Sequence, residues 1–418
     1  MTQNKLPKDW KVVKLGELCD KMANGANAKQ FEDQIGLPIS RIETIWNEDI
    51  DLKRVKYIYE NDEAFIEKYA LKKNDILFSH INSDIHLGKT ALFKNQTKTL
   101  IHGINLLLIR LCKEAQPDFF NYQFNYKRRR GEFITIASKS VNQSSINQPK
   151  LKNIDFVLPP LKTQQNIVSK IEELFSELDK GIEDLITAQQ QLKIYRQSVL
   201  KWAFEGKLTN KKVQEGVLPK DWKKVTIGDV CHNVEYGSAT KSKKEGKIPV
   251  LRMGNIQNGK FNWNDLVYSD DDIEIKKYML KKNDVLFNRT NSAELVGKTA
   301  IYKGERPAIF AGYLIRINRI EELINADFMT YYLNTKEAKQ YGNSVRSFGV
   351  NQSNINGTKL KTYPLPLPSL EEQLLIVLEI ESRLSVADKM EESIAQSLQQ
   401  AEALRQSILK KAFSGELI

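Results

Sequence analysis

The sequence is written twice. Leu6-Pro7-Lys8-Asp9-Trp10-Lys11 returns as Leu218-Pro219-Lys220-Asp221-Trp222-Lys223, and Leu71-Lys72-Lys73-Asn74-Asp75-Ile76-Leu77-Phe78 returns as Leu280-Lys281-Lys282-Asn283-Asp284-Val285-Leu286-Phe287. Gly88-Lys89-Thr90-Ala91, Val141-Asn142-Gln143-Ser144 and Gln197-Ser198-Val199-Leu200-Lys201 recur as Gly297-Lys298-Thr299-Ala300, Val350-Asn351-Gln352-Ser353 and Gln406-Ser407-Ile408-Leu409-Lys410. From Leu71 onward the offset is constant at 209, half of the 418 residues. Solenoid repeats run to roughly 20–50 residues, so this spacing is a duplicated domain and not a stacked array.

Each copy has a globular part followed by a helical one. Residues 1–158 and 210–367 read as mixed, strand-rich domains. Ile76-Leu77-Phe78, Val285-Leu286-Phe287, Leu106–Ile109 and Tyr313–Arg316 are short apolar runs, which suits buried strands. The proline runs Pro159-Pro160 and Pro364–Pro368 are expected to close each domain, because proline stops strands and helices alike. Residues 159–209 and 368–418 then carry an apolar period near 3.5, the mark of a coiled-coil seam. In the first, Ile171, Leu174, Leu178, Leu185, Ala188, Leu192, Tyr195, Val199 and Trp202 follow it, with Gly181 in the odd slot. In the second, Ile380, Ala387, Ile394, Ala401 and Ile408 recur every seven residues, with Leu384, Met390, Leu398 and Leu404 beside them.

A lone striped helix must bury its stripe, and the other copy is the partner at hand. Chain direction makes the pair antiparallel and brings the C-terminus back towards the N-terminal domain. The expected fold class is α+β: two tandem mixed α/β globular domains separated by two long antiparallel coiled-coil helices, with pseudo-twofold symmetry.

Charge separates the parts. The net charge is +11, yet residues 163–205 hold five Lys+Arg against seven Asp+Glu, and residues 370–416 hold five against nine. The whole basic excess therefore lies in the globular domains, which is what neutralising phosphates requires. A solvated basic surface without a partner is the bland alternative. Polar clusters follow the buried strands: His80, Asn82 and Ser83 in copy one, and Arg289, Asn291 and Ser292 in copy two. Lys89 and Lys298 come a few residues later. Arg, Asn, Gln and Ser read base edges, while Lys and Thr suit phosphates. Asn142, Gln143, Arg346, Asn351 and Gln352 join the same candidate DNA-binding set, as do Lys127, Arg128, Arg129 and Arg130. That last basic run finds no counterpart in Lys336-Glu337-Ala338-Lys339.

Other chemistry is missing. Gly88-Lys89-Thr90 and Gly297-Lys298-Thr299 lack the glycine five residues upstream that a phosphate loop needs; Ser83 and Ser292 stand there. His80, His86, His102 and His232 share no metal-ligand spacing with the three cysteines, and Cys19 and Cys231 sit among aliphatic residues as inert thiols. The N-terminal stretch has no apolar core of a signal peptide, and no run is long enough to span a membrane. No catalytic residue and no metal site are expected.

The order of these motifs resembles the specificity subunit of type I restriction–modification enzymes. The shared features are Leu-Pro-Lys-Asp-Trp-Lys, Lys-Lys-Asn-Asp-Ile/Val-Leu-Phe, Gln164 and Gln373 after the proline runs, and long helices ending in Ala203-Phe204-Glu205-Gly206 and Ala412-Phe413-Ser414-Gly415. The resemblance implies that each globular domain is a target recognition domain reading one half of a bipartite site on double-stranded DNA. It implies that the helices set the spacing and dock two methyltransferase subunits. S-adenosylmethionine, ATP and Mg²⁺ would belong to those partners and to restriction or translocase subunits, leaving this chain without a cofactor, in the cytoplasm. The diverged loops predict an asymmetric target. A bidomain scaffold for RNA or protein, or a stand-alone endonuclease, are the competing readings.

Overall fold

The computed structural model describes residues 6–60, 62–94, 99–141, 143–210, 213–214, 216–348 and 352–418. It divides into two compact units, Met1–Leu185 with Gln396–Ile418, and Ile186–Ala395. Both long helices therefore contribute one half to each unit.

Unit 1 is organised on a four-stranded antiparallel sheet. Its strands are β1 (Cys19–Asn24), β2 (Ile76–Ser79), β3 (Thr90–Leu92) and β4 (Leu106–Leu111), in the order β1-β4-β2-β3. Both faces are covered. Ile76, Phe78, Leu107 and Ile109 pack on Phe119, Phe120 and Phe124 of helix α1 (Pro117–Arg129), and Leu77, Leu106 and Leu108 pack on Ile45, Phe93 and Leu100. Burial on both sides is why these strands read as unbroken apolar runs.

Unit 2 repeats the plan with β5 (Cys231–Tyr236), β6 (Val285–Asn288), β7 (Thr299–Ile301) and β8 (Leu314–Arg319), ordered β5-β8-β6-β7. Here the following helix is broken into α2 (Ala326–Leu333) and α3 (Lys336–Val345). Asn74 and Asn283 enter the central strands in the left-handed region, with φ of 73° and 71°, a conformation Asn tolerates.

The proline run of copy two corrects the expectation that prolines stop the strand. Pro364–Leu367 is itself a strand, paired with Lys223–Thr226 in a two-stranded ribbon, as Asp155–Leu158 is with Lys11–Lys14 in copy one. A two-stranded ribbon is all edge, where a proline's missing N–H is tolerated.

The long helices run Leu161–Phe204, 44 residues, and Leu370–Ser414, 45 residues. At 1.5 Å per residue each is about 66 Å long. Gln164 and Gln373 fix their starts. Each is fully buried with its amide saturated: Gln164 donates to the carbonyls of Pro159 and Glu114 and accepts from the Gln116 N–H, all at 2.8–2.9 Å. Gln373 makes the same three bonds to Pro368, Leu323 and Asn325.

At the far ends, Gly415 (φ 81°) lies so close to Pro7 that an added Cβ would sit 2.3 Å away, and Gly206 meets Pro219 in the same manner at 2.4 Å. The repeated Ala-Phe-x-Gly thus receives the repeated Leu-Pro-x-x-Trp, and within unit 1 the end of the chain docks on its beginning.

Inside unit 1 the start of the first helix (Ile167, Ile171, Phe175) and the end of the second (Ile408, Leu409, Ala412) enter one core, antiparallel. Inside unit 2, Val199 and Ala203 meet Ile376 and Ile380 likewise. The heptad residues Ile380, Ala387, Ile394, Ala401 and Ile408 are all buried. Four seam assignments are corrected. Trp202, Met390 and Leu404 are exposed, and Ile182, not Gly181, fills the odd slot. The second helix follows a strict heptad, which puts Glu391 and Arg405 where Met390 and Leu404 were expected.

Those charges are paired within their own units. Arg405 bonds Asp179 and lies 4.4 Å over the Phe175 ring in unit 1. Arg196 bonds Asp388 at 2.6 Å and Glu391 at 2.9 Å in unit 2. Arg196 and Arg405 are repeat equivalents, as are Asp179 and Asp388, so one ion pair occurs twice and pins the register of both halves.

Candidate nucleic-acid interface

The central strands β2 and β6 each end in a polar edge. Asp75 and Asp284 anchor the strand starts by accepting the Lys72 and Lys281 N–H at 2.7 and 2.9 Å. Arg110 grips Asp75 through two bonds at 2.7 and 2.6 Å; Arg316 bonds both Asp284 and Glu235. At the other strand ends, Ile81–Asn82 pairs with Ser144–Ser145, and Thr290–Asn291 pairs with Ser353–Asn354. Segments about 60 residues apart are thereby brought to one edge, which places Asn82 and Ser83 beside Gln143, and Asn291 and Ser292 beside Gln352. Asn142 and Asn351 lie outside the described residues.

Within this edge the candidates differ in what they can reach. Ser83, Gln143, Ser292 and Gln352 are exposed. Asn82 is buried, its amide donating to Ser79 Oγ at 3.1 Å and accepting the Ser83 N–H at 2.9 Å; Asn291 likewise accepts the Ser292 N–H. These asparagines shape the turn.

His80 is turned inward. Its ring is buried, hydrogen-bonded to the Asn105 backbone, and burial pushes its pKa down to about 4, so the imidazole is neutral. Its Nδ1 has no protein partner. It lines an open cleft of about 520 Å³ with Asn24, Ser145, Asn147, Gln148 and Lys152. In unit 2 the strand register puts Tyr236 where Asn24 stands. The Tyr236 hydroxyl accepts the Gly357 N–H at 2.7 Å, and Arg289, the counterpart of His80, lies 4.8 Å over its ring while donating to the Gly312 carbonyl. The same corner is an open polar cleft in one copy and an arginine laid on a tyrosine in the other.

The basic run of unit 1 is largely committed to protein. Lys127 bonds Glu132 at 2.8 Å, Arg128 and Arg129 bond Glu48, Arg129 also bonds Glu402, and Arg130 bonds Glu132 at 3.2 Å. These arginines tie α1 to the Glu48 turn and the second long helix, and only Arg130 is substantially exposed. Lys89 lies in the same cluster: burial and Arg128 push its pKa down while Glu48 opposes them. In unit 2, Arg346 donates to the Ala293 carbonyl and to Asn343.

Gly88 and Gly297 have positive φ, and Thr90 and Thr299 open strands. No helix N-terminus follows them, so the peptide dipoles of a phosphate loop are missing. Among the described residues no three His, Cys, Asp or Glu side chains are grouped to hold a metal, and no helix is long and apolar enough to cross a membrane. The thiols are free, with burial pushing Cys19 up to about 12. Sequence reasoning missed Glu48 and the Arg196 and Arg405 pairs; for the two arginine pairs the signal was there, because the same Asp and Arg recur at the repeat offset.

The sequence matches the type I restriction modification DNA specificity domain over residues 7–188 and again over 219–402. The protein named as the MjaX type I restriction enzyme specificity subunit of Methanocaldococcus jannaschii is 32% identical across 99% of this chain and 94% of its own length. The EcoKI specificity subunit of Escherichia coli K12 is 28% identical across 100% and 91%. Among solved structures, a chain from a study of complex assembly in the type I R-M system superposes with a TM-score of 0.77 at 20% identity, covering 99% of this chain and 100% of that one. The HsdS subunit from Thermoanaerobacter tengcongensis gives 0.62 at 19%, covering 100% and 99%. With its two domain copies and paired long helices, this chain belongs to the type I restriction–modification DNA specificity family.

Proposed function

We propose that this chain is the non-catalytic, DNA-reading subunit of a type I restriction–modification complex, and that residues 1–158 and 210–367 are its two target recognition domains. Each reads one half of a bipartite site on double-stranded DNA. The spacer segments 159–209 and 368–418 set the distance between halves and carry two methyltransferase subunits, with restriction subunits joining the assembly. The work is done in the cytoplasm, where the chromosome is. One observation carries this reading: two copies of one frame hold differing side chains at the same polar edge, His80 over an open cleft in one and Arg289 on Tyr236 in the other. Two readers of unlike half-sites need that combination.

Among the candidate residues, Ser83, Gln143, Ser292 and Gln352 are exposed for base contact, Arg289 supplies specificity in the second half, and Lys89, Lys298, Arg130 and Arg346 supply phosphate contacts. His80 and Asn82 shape the edge. Co-expression with a type I methyltransferase subunit, followed by methylome sequencing, tests the reading. The expected result is methylated adenine in an asymmetric motif of two short blocks separated by unread bases. A motif with identical halves, or methylation unaltered when this chain is omitted, overturns it.

A further inference from the structure

The two long helices begin with the same inner face and unlike outer faces. Ile167, Val168 and Ile171 of the first have their repeat images in Ile376, Val377 and Ile380 of the second, and all six are buried. The outward positions between them differ. Gln165, Asn166 and Ser169 are exposed in unit 1, and their images in unit 2 are Leu374, Leu375 and Leu378, which are still 50, 58 and 62% exposed. The change continues along the helix: Glu177 is replaced by Val386 and Gly181 by Met390, both exposed. It also reaches the loop bonded to the helix start. Gln164 donates to the carbonyl of Glu114, whereas Gln373 donates to that of Leu323, a leucine 43% exposed.

A helix whose inner face fills a core is expected to be polar outside, and the helix start of unit 1 obeys that rule. At 3.6 residues per turn, Leu374, Leu375 and Leu378 fall within about 100° of the helix surface, on the side away from Ile376 and Ile380. Single exposed leucines are ordinary, but a contiguous apolar patch that the sister copy lacks marks a surface kept for a partner.

Charge selects that partner. From Glu371 to Glu392 the same helix holds seven carboxylates against Arg383 and Lys389, and Glu371, Glu381 and Glu392 are exposed. Such a surround repels a duplex, an anionic lipid surface and a second copy of the same face, whereas it attracts an apolar ridge flanked by Lys or Arg. The spacer is the part that carries two methyltransferase subunits in the reading above. Two identical subunits bind equally only where both units present equal surfaces, and these two helix starts do not. Resting on that reading, we infer that Leu374, Leu375 and Leu378 form the centre of a docking face for one methyltransferase subunit, received through an apolar ridge with basic flanks, so that the subunit on unit 2 binds more tightly and loads first.

The test is a titration of the full-length chain with a purified type I methyltransferase subunit, counting one- and two-subunit complexes by native mass spectrometry. The wild-type chain should load in two unequal steps. Burying the exposed halves of three leucines is worth about 100-fold in affinity. The triple variant Leu374→Gln, Leu375→Asn, Leu378→Ser should therefore weaken the first step by about that factor and bring the two steps together. Those are the side chains that unit 1 carries at the matching exposed positions, so the helix and its core are kept. The reverse exchange, Gln165→Leu, Asn166→Leu and Ser169→Leu, should tighten the second step towards the first. A wild-type chain that binds no methyltransferase overturns the assembly reading itself. Two equal steps in the wild type, or a Leu374 triple variant that loads as the wild type does, overturn only the docking face. A triple variant that loses self-association or a restriction subunit, with both methyltransferase steps unchanged, assigns the patch to that other occupant and overturns the proposal as well.

Discussion

Asp75 and Asp284 do the same job with different support, and removing each should cost different amounts. The Asp75 side chain is fully buried and accepts three bonds, two from Arg110 and one from the Lys72 N–H. Asp75→Ala abolishes all three and leaves Arg110 without its buried partner. Breaking a buried pair costs about 3–5 kcal/mol. Arg110 is 26% exposed and rehydrates in part, so the low end applies, about 3 kcal/mol.

Arg316 is only 11% exposed, but after Asp284→Ala it keeps Glu235 through bonds of 2.5 and 3.1 Å and the Met279 carbonyl at 3.0 Å. One charge-assisted bond (about 1.5 kcal/mol) and the solvent-exposed Lys281 N–H bond (about 0.5 kcal/mol) are lost, about 2 kcal/mol together. For a unit of roughly 210 residues the unfolding entropy is about 0.44 kcal/mol/K, so the expected drops are about 7 °C for unit 1 and about 4.5 °C for unit 2. Differential scanning calorimetry of the full chain reads both. Equal drops, or a larger one for Asp284→Ala, would refute the claim that Glu235 is what spares unit 2.

Three more expectations rest on the same geometry. Arg289→Ala should change which half-site is methylated, by about 1–3 kcal/mol of discrimination, while leaving non-specific affinity nearly as it was; an unchanged methylome would sink the specificity role. Arg196→Ala and Arg405→Ala should each cost about 0.5–1 kcal/mol, and the exchange Arg405→Asp with Asp179→Arg should restore most of the loss by thermal melting. Absence of rescue would mean that packing on Phe175, not the charge pair, sets the cost.

The remaining expectation concerns pH. Burial keeps the folded His80 neutral down to about 4, against an ordinary value of 6.5, and His102 is pushed down by burial as well. As pH falls through 6.5 the unfolded chain takes up protons first, so unit 1 should lose stability progressively until about pH 4. Replacing both histidines with glutamine should flatten that fall in melting temperature between pH 7 and pH 4. A fall of undiminished size would show that other groups cause it.

The architecture was legible because its main signals are local. A 209-residue echo, a seven-residue apolar period, and apolar runs after Lys-Lys-Asn-Asp are all written along the chain. The site was less legible because charge is cancelled across distance. Lys127–Arg130 reads as a free basic run, yet Glu48 lies about 80 residues away and Glu402 more than 270. The inward turn of His80 goes with a hydrogen bond to the Asn105 backbone, which no spacing rule encodes. The strand Pro364–Leu367 is hidden from the proline rule because that rule applies to central strands, whereas a two-stranded ribbon has none.

Repetition also explains which residues could diverge. When a helix lies antiparallel to its own repeat, a cross-helix contact between shared residues is made twice, once by each residue and once by its image. Asp179 with Arg405, and Arg196 with Asp388, are such a double contact, and the saturated Gln164 and Gln373 show the same doubling at the helix starts. A change at either arginine or either aspartate leaves a mismatched image in the other copy, so drift there is penalised through the pair. The polar edges obey no such constraint, because each touches only its own unit and whatever that unit binds. Asn24 and His80 can become Tyr236 and Arg289, and Glu48 can become Gly259, without disturbing any bond of the other copy. A shared frame with independently variable edges is therefore the mechanical consequence of the duplication, and it is what a reader of two unlike half-sites requires.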